Sequence, residues 1–235
     1  MNDIVRLAAL NNAEWCDAVY RAQGRPGEFT PALWLNRQSA PPFYPNAVTL
    51  TAEDGANQHE TLATLTEQLA GNFAVKDSFA TLDLSPQGFR PLFSASWIFR
   101  DARNPAPTAD AGLAWKVVST PASFAAWQRG WAGDNVSPSP FAMPLLADPR
   151  VTLIGGWRGD TVIAGAALNR SAGAIGWSNV FGPSDDSYAC RAAALGFALG
   201  MAGNMPLVGY EQGEELAQSL DLGFAACGPL TIWGH

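Results

Sequence analysis

The sequence predicts an α/β (α+β) fold: a mixed, mostly antiparallel central sheet flanked by helices. Three observations carry this. From Val151 to His235 the chain reads strand, tight turn, strand, strand, helix, strand, helix, strand. Upstream, Phe93, Ala95, Trp97 and Phe99 alternate with Ser94 and Ser96, the period of a half-buried strand. A hydrophobic share of 48% against 15% charged gives the 235 residues enough apolar material for one large core or two small ones.

Taken in order, the first expected element is a helix over Ala13–Gln23, capped by Asn12, with Trp15 and Val19 on one face and Gly24 as its stop. Phe29–Asn46 is rich in proline and aromatics and should be ordered by packing without regular structure. Ala47–Thr51 is a short strand. Asn57 begins a second helix, with Glu60 placed for a capping box, Leu62, Leu65 and Leu69 as its buried stripe, and Gly71 as its end. Two extended segments follow, Phe73–Leu84 and Phe89–Arg100. Pro91 requires an edge position or a bulge near the start of the second.

Asp101–Gly112, with Pro105 and Pro107, is the candidate linker, so the chain divides into a region 1–112 and a unit 113–235. Leu113–Ser119 is a strand. Thr120-Pro121 is a strong helix start, and Phe124, Trp127 and Trp131 form that helix's apolar stripe up to Gly133. Asp134–Ala147 is a loop. Val151–Trp157 and Thr161–Leu168 form a hairpin through Arg158-Gly159-Asp160. Gly173–Phe181 is the third strand after Ala147 and Ser184–Ala202 a helix of small residues. Pro206–Tyr210 is a buried strand, Gly213–Leu222 a helix, and Phe224–Trp233 the last extended segment. No internal repeat is visible.

Composition narrows the function. The formal net charge is −7, with lysine only at Lys76 and Lys116. A nucleic-acid surface needs a basic stripe, and none exists. A polybasic membrane anchor and an apolar run long enough to span a bilayer are absent too. Cys16, Cys190 and Cys227 are odd in number and widely spaced, which points to reduced thiols in the cytoplasm. Two histidines and three scattered cysteines give no metal-ligand spacing. Cys16 beside Trp15 on an amphipathic helix reads as a buried thiol, and nothing places His59 near it.

The order of elements after Leu113 leads to a sequence that runs Gly-Tyr-Glu-Gln-Gly-Glu-Glu-Leu from Gly209. It ends in Leu-Gly-Phe-Ala-Ala-Cys-Gly-Pro-Leu-Thr-Ile-Trp up to Trp233. This half of the chain resembles the GNAT superfamily of N-acetyltransferases. The resemblance implies a GNAT-like sheet that the region 1–112 packs on or extends. It also implies acetyl-CoA as cosubstrate, no metal, a small-molecule acceptor, and an assembly that could be a homodimer. In that family the strand placed at Gly173–Phe181 holds the pantetheine arm, and the next loop wraps the pyrophosphate with backbone N–H groups at a helix N-terminus.

On this chain the resemblance puts the cofactor-binding positions at Asn179, Val180, Phe181, Gly182, Ser184 and Ser187. The family's usual Gln/Arg-x-x-Gly-x-Gly/Ala pattern is replaced here by Asn179-Val-Phe-Gly-Pro-Ser-Asp-Asp-Ser187. Asp185 and Asp186 lie in the first helical turn, and from Ser171 onward Arg191 is the only cation against six carboxylates.

Glu211, at the C-terminal end of a predicted strand, is the candidate general base, and Tyr210 the candidate acid toward the thiolate. The family's tyrosine lies in the helix placed here at Gly213–Leu222, which contains none. Ser178 faces the same cleft, and Trp34 and Tyr44, with Phe43, are candidate substrate walls. Blander roles stand beside these: Glu211 as an exposed cap, the aromatics as a plug between the halves. Two functions fit. One is acetyl transfer to a small amine, with the acidic protein suiting a cationic acceptor. The other is a non-catalytic GNAT-like module that binds a ligand or partner.

Overall fold

The fold is seen in a computed structural model that describes residues 2–69, 73–109, 111–133 and 138–235. It contains α1 (Asn2–Ala22), β1 (Glu28–Phe29), β2 (Leu33–Leu35), β3 (Ala47–Thr49), α2 (Gly55–Gln68), β4 (Ala74–Asp77) and β5 (Arg90–Arg100). The chain continues through β6 (Ala114–Val117), α3 (Pro121–Ala132), β7 (Val151–Arg158), β8 (Thr161–Ser171) and β9 (Ala174–Phe181). It closes with α4 (Ser187–Ala202), β10 (Leu207–Glu211), α5 (Gly213–Asp221) and β11 (Ala225–Gly234).

The first helix begins well before the expected start. Val5, Ala8 and Ala9 are already buried at helical spacing, and Asp3 sits favourably in the first turn. Asn12 is therefore inside the helix rather than its cap. Gly24 does end it, at φ 75° with its N–H on the carbonyl of Arg21. The second helix starts at Gly55 after Asp54, without the expected capping box: Asn57 Nδ2 donates to Asp54 Oδ2 at 3.0 Å. Leu62 and Leu65 form its buried stripe, with Leu69 packed at the margin. Gly71 lies outside the described residues, as do positions 134–137 of the expected loop.

The expected extended run Phe73–Leu84 is a strand only to Asp77. The buried Asp77 carboxylate then accepts from the N–H groups of Phe79 (3.2 Å) and Leu82 (2.8 Å) and turns the chain. The Thr120-Pro121 start holds, with Ser123 closing a capping box. Thr120 Oγ1 accepts from Ser123 N at 3.2 Å, and Ser123 Oγ accepts from Thr120 N at 3.0 Å.

All strands share one sheet in the order β1-β2-β3-β4-β11-β5-β10-β9-β8-β7-β6. Strands from 1–112 and from 113–235 are interleaved at its centre, where β5 lies between β10 and β11. Pro91 is thus not on an edge strand. It sits opposite Trp233 at a register shift, the bulge that its missing N–H requires. The linker is pinned at this crossing. Buried Arg100 donates from Nε to Leu222 O at 3.0 Å, and Asn104 Nδ2 donates to Gly223 O at 3.0 Å.

The topology carries a two-fold pattern that the sequence does not display. On one side of the β11/β5 pair, β3 and β4 are parallel and joined through α2. On the other, β9 and β10 are parallel and joined through α4. β4 has β11 as its antiparallel neighbour, and β10 has β5.

Helices cover both faces of the sheet. α1 and α3 take one, where Trp15, Val19, Phe124 and Trp127 meet Trp34, Val48, Leu153 and Val162. On the other, Leu195 and Ala198 of α4 pack on Ile98, Ile154, Ile175 and Leu207. α2 covers the Leu33, Leu35, Ala47 and Val75 side chains, which alternate with Trp34 and Val48 and so face away from α1.

Candidate functional site

The site forms where two parallel strands part. β9 and β10 pair at Ile175↔Leu207 and Gly176↔Val208 and no further. Gly209 marks the last close approach: a Cβ there would lie 2.5 Å from the carbonyl oxygen of Trp177, so only glycine fits. Beyond it, β9 carries a bulge. Gly165 faces Phe181 while Ala167 faces Ser178, and Asn179 takes φ 51° in between. Separation of the strands opens a cavity of about 350 Å³.

Consecutive strand residues point to opposite faces, so Glu211 turns toward α4 and Tyr210 toward α1. Because β9 has moved away, the cavity reaches both. Its walls include Ser178, Asn179 and Val180 from β9, Tyr210 and Glu211 from β10, Arg191 from α4, Asn12 and Cys16 from α1, and Tyr44 and Lys76.

Glu211 forms a mostly buried ion pair with Arg191, Oε1 to Nη1 at 2.7 Å. Burial pushes its carboxyl above the usual carboxylate range; Arg191 opposes that rise and nearby Glu215 adds to it. The Tyr44 hydroxyl accepts from Asn179 Nδ2 at 3.3 Å, beside the bulge. Burial, then nearby Cys16, holds its phenol well above its ordinary value, so it keeps its proton. Burial likewise raises the Cys16 thiol to about 11, and its Sγ lies 3.9 Å from Asn12 Oδ1. His59 sits on α2, where its carbonyl accepts from Gln87.

Lys76 is 2% exposed. Its ammonium donates to Asn12 Oδ1 at 2.6 Å and lies 4.1 Å from the centre of the Tyr210 ring. The same ring packs edge-on against Trp97.

The structure thus brings together Glu211, Tyr210, Asn179, Val180, Ser178 and Tyr44. Trp34 is elsewhere, fully buried in the α1 core with its Nε1 donating to Asp17 Oδ1 at 3.2 Å. It walls no cavity. Phe181 turns onto Trp127, ring centres 5.4 Å apart. Gly182 packs against Cys190, Ser184 starts a 3-10 turn, and Ser187 Oγ donates to Gln218 Oε1 at 3.1 Å, tying α4 to α5. Gly182 and Ser184 lie in the β9–α4 connection and Ser187 opens α4; none of the three lines the cavity. Asp185 and Asp186 are exposed there, without an ion pair among the described residues.

Arg191 and Lys76 are among the wall residues that the sequence reading missed, as is Asn12, read there as a helix cap. Arg191 was legible only as a lone cation in an acidic segment. Lys76 had one signal: a lysine inside the apolar run Phe73-Ala-Val-Lys. Among the described residues no cluster of three or more His, Cys, Asp or Glu could hold a metal, and no helix is long and apolar enough to cross a membrane.

No family model and no curated protein matches the sequence. Solved structures do match the fold. The chain is similar to a GCN5-related N-acetyltransferase from Kribbella flavida, with a TM-score of 0.66, 16% identity, and 97% of this chain and 95% of that one covered. A GCN5-related N-acetyltransferase from Sphaerobacter thermophilus aligns at TM-score 0.54 and 11% identity over 80% and 71% of the two chains. A conserved protein of unknown function from Staphylococcus epidermidis aligns at TM-score 0.56 and 8% identity over 86% and 83%. The first likeness runs through both halves of the chain, including the region upstream of Leu113. The fold is that of the GCN5-related N-acetyltransferases.

Proposed function

We propose that the protein is an acyltransferase that takes acetyl-CoA in the gap between β9 and β10 and acetylates a small amine. One observation carries the reading: a carboxyl held above its usual range, Glu211, lies in the cavity that opens where those strands part. The donor end fits the thioester arm. β9 beyond Gly176 has no strand partner in β10, so its backbone is free on that side to hold an extended pantetheine chain. Trp177 Nε1 and Arg191 Nε are buried there without a hydrogen-bond partner among the described residues.

The cosubstrate supplies an activated acyl thioester. Glu211 takes the proton of the acceptor's ammonium, directly or through water. The freed nitrogen then forms a C–N bond to the acyl carbon as the C–S bond breaks. The departing thiolate takes a proton from a tyrosine hydroxyl, and the product nitrogen returns its surplus proton to that tyrosinate, directly or through water. Tyr210 is the donor within the cavity, while Tyr44, whose phenol burial holds well above its ordinary value, stays a neutral wall beside Asn179.

The second reading, a binding protein without catalysis, is supported by Asp185 and Asp186. They lie in the β9–α4 connection, where the resemblance puts the phosphates, and like charge there would oppose a polyanion. The test is coenzyme A release from acetyl-CoA with a panel of amines, for wild type and Glu211→Gln. Turnover lowered about 10²-fold in the variant, with coenzyme A affinity kept, is the expected result. Coenzyme A binding without turnover in wild type would favour the binding protein.

A further inference from the structure

Cavity walls, buried titratable groups and exposed apolar patches converge on Lys76. Its residue is almost fully buried, yet among the described residues no carboxylate pairs with it. An ammonium has three N–H donors. Asn12 Oδ1 takes one, and the Tyr210 ring offers a face, but both partners are neutral. A charge buried with only neutral partners is costly. The Asp77 next to it in sequence is engaged with the backbone of Phe79 and Leu82, and Glu211 is engaged with Arg191.

Lys76 also stands at a junction. With Phe43, Tyr44, Pro45 and Tyr210 it belongs both to the wall of the strand-gap cavity and to that of a second cavity of about 1080 Å³. The second cavity is mostly apolar, walled by Pro42, Phe73, Leu92, Phe93 and Ile232.

We propose that Lys76 holds the carboxylate of the acceptor, and that the acceptor is an amino acid with an apolar body lodged in the second cavity. The carboxylate would complete the ammonium's donors. The amine would reach toward the strand gap. This rests on the acyltransferase reading for the fate of the amine, but not for the carboxylate. It departs from the cationic acceptor that net charge alone suggests: the recognised molecule is a zwitterion.

The experiment is calorimetric titration of the full-length protein with L-phenylalanine, L-leucine and ε-aminocaproate, each beside its carboxamide, followed by acetyl-transfer assays on the same compounds. Wild type should bind at least one acid no less than about tenfold more tightly than its amide, the scale of a buried charge contact. Lys76→Met, which keeps the side chain's length and removes its charge, should bring that acid to the amide's level and leave the amide unchanged. The comparison of acid with amide on wild type needs no variant, so a folding defect in Lys76→Met leaves it intact.

Amides bound as tightly as acids, no acid bound at all, or a preference surviving in Lys76→Met would each overturn the proposal. So would a variant that loses only succinyl-CoA as donor, which assigns the anion to the acyl group instead. Failure of the acyltransferase reading looks different: the acid binds through Lys76, but no acetyl group is transferred and coenzyme A does not stabilise the fold.

Discussion

Glu211 and Arg191 form a buried pair in which burial raises the carboxyl and Arg191 lowers it, and burial prevails. The consequence is visible in pH. A folded-state pKa raised above the unfolded one gives stability that is full below the unfolded carboxylate value. That stability is lost as pH rises through the raised value. Urea unfolding across that window should therefore show wild type losing stability relative to Glu211→Gln as pH rises. The opposite slope would show that Arg191 controls the group. The same rise should place the acid limb of kcat/KM above the ordinary carboxylate range, and that limb should vanish in Glu211→Gln. At this scale the sequence was partly legible. Glu211 stood out because a carboxylate at a strand end is readable from local pattern. Lys76 did not, because its burial depends on α1 approaching β4, a contact between residues far apart in the chain. Trp34 was misassigned for a similar reason: its partner Asp17 comes from the helix before it, and that contact draws the indole into the core.

The elements that make the site are β9 and β10, and glycine controls their separation. Gly209→Ala would force a methyl against the Trp177 carbonyl. Such overpacking costs about 1–3 kcal/mol, or roughly 2–12 °C in melting temperature for a chain of this size. Calorimetry should show that loss together with weaker coenzyme A binding; unchanged binding would detach the cofactor from the strand gap. At the start of α4, Asp185 and Asp186 oppose phosphate. Neutralising both, Asp185→Asn with Asp186→Asn, should tighten coenzyme A at low salt, with the gain shrinking as salt screens the charges. Equal affinity at low salt would show that the carboxylates stay clear of the cofactor. Most elements were legible, since their periods and stops were local: the Thr120-Pro121 start and the hairpin at Gly159 are examples. The start of α1 was not: Asn2 and Asp3 are cap-type residues ahead of Val5, but Asn12 offered a second cap-type residue ten positions later.

Across the whole molecule, the halves complete one sheet rather than two. β5 is covered on one side by β10 and on the other by β11, and β11 is covered by β4 and β5. Fragments 1–112 and 113–235 made separately should each aggregate or remain unfolded, and co-expression should restore one soluble complex. A folded fragment 113–235, read by its circular dichroism and cooperative melting, would show that β5 is dispensable. This interleaving was hidden from sequence reading because strand partners such as Arg100 and Leu207 are far apart in the chain, and no local pattern encodes their register. The reading of the molecule as an acyltransferase stands most directly on one measurement, a thermal-shift titration with acetyl-CoA. At a hundred times its Kd the ligand should stabilise the fold by about 2.7 kcal/mol, and Gly209→Ala should reduce that effect. No stabilisation at millimolar acetyl-CoA, in wild type and in the variant with both Asp185 and Asp186 neutralised, would contradict it.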